Sequence, residues 1–117
     1  TAVKRGEVWL VNLDPTVGHE IKRSRPALII QNDIGNRYSP ITIVAPLTSQ
    51  KLDELYPFEV LVNKTSRVVR KSSKVLLNQI RAIDKRRLIR KEGRLSYELM
   101  DEVDEAIKIS LGLRKIE

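Results

Sequence analysis

The chain of 117 residues is 41% apolar and 32% charged, a composition that suits one folded domain over residues 1–117 and excludes a disordered chain. It has no cysteine and one histidine, which excludes disulfide scaffolds, zinc–thiolate sites, thiol nucleophiles and any site built on two imidazoles. With 22 Lys and Arg against 15 Asp and Glu, the net charge of +7 makes a polyanion the partner to test.

The first six residues bring charge at Lys4 and hold no signal-peptide core. No apolar run reaches the roughly 18 residues of a membrane span. Both features, with the lack of cysteine, point to a cytoplasmic protein with no membrane partner. Residues 7–13 (EVWLVNL) are rich in β-formers, apolar on both faces, and stop at Asp14-Pro15; they predict a central strand. Residues 26–31 (PALIIQ) predict a second strand, and the Asn- and Gly-rich 32–38 a turn or short helical turn. Residues 41–48 (ITIVAPLT) predict a third strand, with Pro46 marking an edge or a bulge. A polar connection over 49–57 leads to a fourth strand at 58–62, where Phe58, Val60 and Val62 alternate with Glu59, Leu61 and Asn63.

Residues 65–73 read as a basic loop, and 74–78 with 79–83 as strand, either two pieces or one long bent one. Leu88 and Ile89 suit a short helical turn broken at Gly93. Ser96 then resembles an N-cap. Met100, Val103, Ile107 and Leu111 form an apolar stripe widened by Leu99 and Ala106, and Gly112 sits where a helix ends. The pattern predicts a mainly β (α+β) domain: five or six antiparallel strands closed by a C-terminal amphipathic helix.

Charge is unevenly spread. Residues 64–91 hold eleven basic groups and one acid, whereas 92–117 are net −3. Either the basic stretch tracks phosphates or it is a solvated face that balances the acidic helix.

The connection between the first two strands, residues 14–25, is far longer than a hairpin needs. It carries Thr16, His19, Glu20, Lys22, Arg23 and Arg25. Arg25 precedes Pro26, which pushes its backbone to extended geometry at the strand mouth. One His, no Cys and no clustered carboxylates give little for a metal to bind, and no nucleotide-binding glycine motif or nucleophile elbow is present. What remains is an anion site that needs no metal or cofactor. RNA brings its own nucleophile, the 2′-hydroxyl. Protein must add a base, a cation for the charge growing on phosphorus, and a proton for the leaving 5′-oxygen. Glu20 or His19 can act as base, Arg25 can grip the non-bridging oxygens, and Thr48 can donate from the end of the third strand.

Several segments carry a family resemblance when taken in order: 5–11 (RGEVWLV), 13–20 (LDPTVGHE), 25–30 (RPALII), 32–37 (NDIGNR), 44–50 (VAPLTSQ), 56–60 (YPFEV) and 79–84 (QIRAID). Together they resemble the MazF/PemK/Kid family of bacterial toxin endoribonucleases over most of the chain. The resemblance implies an SH3-like antiparallel β-barrel of the MazF/CcdB type and a homodimer. It also implies metal-independent, sequence-specific cleavage of single-stranded RNA, mRNA above all, leaving a 2′,3′-cyclic phosphate and a 5′-hydroxyl, so that translation and growth are inhibited. A cognate MazE-like antitoxin would hold the toxin in check, with DNA reached only through that complex.

By the same resemblance the catalytic Arg falls at Arg25 and the catalytic Thr at Thr48. The Glu proposed as base falls at Glu20, and the His of Kid-like members at His19. Candidate RNA contacts are Thr16, Lys22, Arg23, Ser49, Gln50, Asn78, Gln79 and Arg81. Two departures stand out. The stretch between Glu20 and Arg25 is Ile21-Lys22-Arg23-Ser24 where many members have glycine, and the Asp of Kid-like members is replaced at Asn78. An amide there cannot act as a base but can donate a hydrogen bond. The alternative from another class is a CcdB-like poison that binds DNA gyrase without catalysis.

Overall fold

The computed structural model describes residues 2–21 and 23–116. Seven strands make one curved antiparallel sheet: β1 (Glu7–Asn12), β2 (Ser24–Ile29), β3 (Ile41–Thr48), β4 (Glu59–Val62), β5 (Ser73–Leu76), β6 (Arg81–Asp84) and β7 (Leu88–Arg94). Two helices, α1 (Asp33–Tyr38) and α2 (Tyr97–Ser110), complete it. The strand order is β4-β5-β3-β2-β1-β7, with β6 pairing β3 beside β5. The result is an SH3-like barrel left open between β7 and β4.

β1 is central, as its two-sided apolar pattern predicts: Val8 and Val11 are wholly buried, and β2 and β7 flank it. β3 has the bounds its sequence predicts, but it is no edge strand. It pairs β2 on one side. On the other it pairs β6 through Ile41–Val44 and β5 through Leu47–Thr48. Pro46 lies between those two stretches, where a missing N–H costs no ladder bond on that side. β5 and β6 therefore run along β3 as one bent strand interrupted at residues 77–80.

The helical turn predicted at Leu88 and Ile89 is a correction. The turn is a 3-10 helix at Lys85–Arg87, and Leu88–Arg94 is the edge strand β7. Its charged, half-exposed residues hide the period-2 signal, as charge on an edge strand commonly does. The count is accordingly seven strands and not five or six. β2 also begins earlier than its apolar run, so Arg25 lies within the strand, opposite Val11.

Alternate faces of the sheet bury two apolar clusters. Val8, Leu28, Ala45, Leu47, Val60 and Val75 face α2, which inserts Val103 and Ala106. Trp9, Val11, Ala27, Ile29, Val44 and Ile83 form the other. α2 is capped at both ends. The Ser96 hydroxyl oxygen accepts from the Leu99 N–H. Gly112, at φ +74, lets Leu113 N–H reach Lys108 O at 2.8 Å and its own N–H reach Ile109 O at 3.1 Å. Leu111, placed on the apolar stripe by the sequence, is 60% exposed because the helix ends there.

Candidate active site and nucleic-acid interface

β2 and β3 pair Ala27 with Pro46 and Ile29 with Val44. Continued by two residues, that register sets Arg25 across from Thr48, on one face of the sheet. The Arg25 Nη1 donates to Leu47 O at 3.5 Å, the residue before Thr48. Burial, and then the neighbouring charge of Arg23, lower the Arg25 pKa from its ordinary value. The group still stays cationic throughout the working pH range, and partial loss of water strengthens its pull on an anion. Thr48 is 9% exposed, and its Oγ1 accepts from the Gln50 N–H at 3.2 Å. Its hydroxyl proton can still be donated outward.

Arg25 opens into a groove of about 420 Å³, together with Ser49. A row of residues crosses its floor. Leu10 pairs with Arg90 on β7 and with Pro26 on β2, and Leu47 follows by the same register. β7 contributes Arg90 and Glu92 to its lining, and the loop before β5 contributes Val68, Val69, Arg70 and Lys71.

A second groove, of about 570 Å³, gathers most of the other candidates: His19, Glu20, Asn78, Gln79 and Arg81. Pro46 lines this one, whereas Leu47 and Ser49 line the other, so the two grooves meet the end of β3 at different places. Arg25 thus shares one groove with Ser49 and reaches the carbonyl beside Thr48, which lines neither groove, and Glu20 shares the other with His19.

Much of the β1–β2 loop is tied down. Gln79 Oε1 accepts from Ile21 N–H at 2.9 Å, and Arg81 Nη1 donates to Leu13 O at 2.9 Å. Asp14 Oδ1 accepts from the N–H of Arg23, whose φ is +69. Glu20 Oε1 accepts from Val17 N–H at 2.6 Å, leaving the rest of an exposed carboxylate toward the groove. Thr16 is half-buried in the loop, Arg23 and Gln50 are exposed, and Lys22 lies outside the described residues.

Sequence reasoning missed Arg70, Lys71, Arg90 and Glu92 as neighbours of Arg25. The charge run over 64–91 contained the signal, but only the fold shows which of its members share a groove. Among the described residues, no three of His, Asp and Glu stand close enough to hold a metal ion, and no helix is long and apolar enough to cross a membrane.

Comparison with known proteins agrees with this fold. The chain is 49% identical over 111 residues to Endoribonuclease EndoA of Bacillus subtilis, covering 95% of this chain and 96% of that protein. Its fold matches the crystal structure of MazF from Deinococcus radiodurans at a TM-score of 0.83 and 27% identity, over 96% of this chain and 98% of that one. It also matches a mycobacterial endoribonuclease solved with its cognate antitoxin, at a TM-score of 0.81 and 23% identity, over 98% of this chain and all of that one. The model of the PemK-like, MazF-like toxins of type II toxin–antitoxin systems matches residues 4–111, and this chain belongs to that family.

Proposed function

We propose that this chain is an endoribonuclease toxin that cuts single-stranded RNA at Arg25 and Thr48 without the aid of a metal. The observation that carries the reading is the placement of Arg25 against the end of β3, its Nη1 at 3.5 Å from the carbonyl of Leu47 beside Thr48, in a basic groove. In the proposed reaction the RNA 2′-oxygen bonds to the adjacent phosphorus and the bond to the 5′-oxygen breaks. A 2′,3′-cyclic phosphate and a 5′-hydroxyl result. The Arg25 guanidinium offers paired N–H groups to the non-bridging oxygens, whose negative charge grows as phosphorus becomes five-coordinate. The Thr48 hydroxyl donates to the same centre. Glu20 and His19 are the candidate bases for the 2′-OH proton, and a strand that bends around the end of β3 would meet both grooves. Thr16, Lys22, Arg23, Ser49, Gln50, Asn78, Gln79 and Arg81 are the proposed contacts that hold and read the RNA.

The test is incubation of the purified protein with a long single-stranded RNA in EDTA, followed by mapping of the cut ends. Cleavage that persists in EDTA, leaves cyclic phosphate ends and vanishes in Arg25→Ala supports the reading. Intact RNA overturns it. Membership of the family, beside a relative named an endoribonuclease, disfavours the non-catalytic gyrase poison.

We also propose that residues 1–117 act as one domain in a cytoplasmic homodimer, and that a MazE-like antitoxin binds it and alone links it to DNA. Relatives solved with an antitoxin support the partner. An acidic segment of that antitoxin, folding on the basic groove, would compete with RNA. Sedimentation of the toxin alone tests the dimer, and co-expression tests whether the bound antitoxin stops cleavage.

A further inference from the structure

Folding sorts the basic stretch 64–91 into cations bonded to the protein's own acceptors, the exposed Lys64 and Arg67, and three cations set along one groove. Lys74 is 4% exposed and donates to Lys51 O, Glu54 O and Glu59 Oε1. Arg81, Lys85 and Arg87 donate to the main-chain carbonyls of Leu13, Asn36 and Asn12. Arg86 pairs with Asp84, and Lys91 with Glu7. What sets Arg70, Lys71 and Arg90 apart is place: all three are exposed and line the groove that holds Arg25.

Resting on the endoribonuclease reading above, we infer that Arg70, Lys71 and Arg90 grip the phosphates that flank the scissile one, making this groove the track of the RNA strand. The floor supports the inference. From Arg90 on β7 to Leu47 on β3 the row spans three strand spacings, roughly 14 Å. It is apolar at the half-buried Leu10 and Pro26, so it can take the flat face of a base or ribose there while the charged residues take phosphates. Its cations come from two elements: Arg90 from β7, Arg70 and Lys71 from the loop before β5. Glu92, 3.4 Å from Arg90, is the one carboxylate lining the groove against four cations. The loop that carries Arg70 and Lys71 is seated by Val68, whose Cγ1 lies 3.4 Å from where a Cβ on Gly93 would be, and by the buried Val69. These cations are thus held over the groove by packing.

The experiment compares two double variants that remove the same charge from the same stretch. Arg70→Ala/Lys71→Ala removes the loop's two cations from the groove. Lys64→Ala/Arg67→Ala removes two exposed cations that do not line the groove. The probe is a fluorescein-labelled 2′-O-methyl oligoribonucleotide spanning a cleavage site mapped with the wild-type protein; the methyl group blocks the attacking oxygen. Affinity is measured between 50 and 200 mM salt. Each lost contact with a single strand should flatten the plot of log affinity against log salt by about 0.7, equivalent to about 2.6-fold over that range. The groove pair should therefore flatten it by about 1.4 and Arg90→Ala by about 0.7, with the off-groove pair matching wild type.

Equal flattening by both pairs would assign the effect to overall charge and overturn the inference. So would no flattening by the groove pair, or a shift of that pair from dimer to monomer at unchanged slope. All the substituted side chains are exposed, and a thermal melt matching wild type confirms that each variant folds. If wild-type protein leaves RNA uncut, the endoribonuclease reading itself fails. If it cuts RNA while the groove variants bind like wild type, only the present inference fails.

Discussion

Arg25 differs from a lysine at the same place in two respects that matter for phosphate chemistry. Its donors are a planar fork, and its charge survives partial burial beside Arg23. Replacing it with alanine should lower single-turnover cleavage by about 10²–10³-fold, the usual cost of removing one group that stabilises developing charge. Arg25→Lys should recover only part of that loss, because a point charge cannot make the paired bonds. Thr48 gives a second contrast. Thr48→Val keeps the shape and removes the hydroxyl, so cleavage should fall, whereas Thr48→Ser should retain most of it. Equal activity in both variants would remove Thr48 from the chemistry. Gln79 carries two readings: family likeness proposes it as an RNA contact, while the fold shows its Oε1 accepting from Ile21 N–H of the β1–β2 loop.

Among the elements, the connection between β3 and β4 depends on one buried cation. Lys74 pairs across the ladder with Thr48, and its ammonium holds the carbonyls of Lys51 and Glu54 and the carboxylate of Glu59. Lys74→Met leaves Glu59, whose side chain is 6% exposed, without its counter-charge. Stability should fall by about 3 kcal/mol, read as a lower urea midpoint at unchanged m-value. Nothing in the sequence separates Lys74 from its basic neighbours, because burial of a charge depends on acceptors that arrive from 15 to 23 residues away.

The same distinction explains what could be read in advance. β1, β3 and α2 announce themselves through local apolar patterns and, in α2, through Ser96 and Gly112. β7 does not, since an edge strand satisfies its polar side chains in water and needs little apolar alternation. Arg25 and Thr48 were legible through motif likeness. The approach of Arg25 to the end of β3, and the separation of Glu20 and His19 into another groove, arise from pairings between distant strands.

For the whole molecule, carboxylates with lowered pKa values predict an acid limb of stability. Burial pushes the Glu7 carboxyl up, but hydrogen bonds from Trp9 Nε1–H, Lys4 N–H and Lys91 outweigh it, and its pKa is lowered overall. At Asp33 the Arg5 N–H leads in lowering the pKa, with Asn36 adding to it. Groups lowered in the fold contribute stability that is fully present above their unfolded values, about 4.3 for Glu and 3.9 for Asp. That contribution is lost as pH falls through the folded values below them. The melting temperature should therefore hold from neutral pH to about 5 and decline beneath about 4, and Glu7→Gln should make the decline shallower. The molecule carries its own optical gauge for this limb. Its sole indole, in Trp9, is 7% exposed and donates to Glu7 Oε1 at 3.0 Å, so ultraviolet emission reports both the dryness of that cluster and the ionisation of the acceptor. A drift in its wavelength that precedes the loss of circular dichroism on acidification would time the neutralisation of a single side chain against the collapse of the entire sheet, with no dye attached.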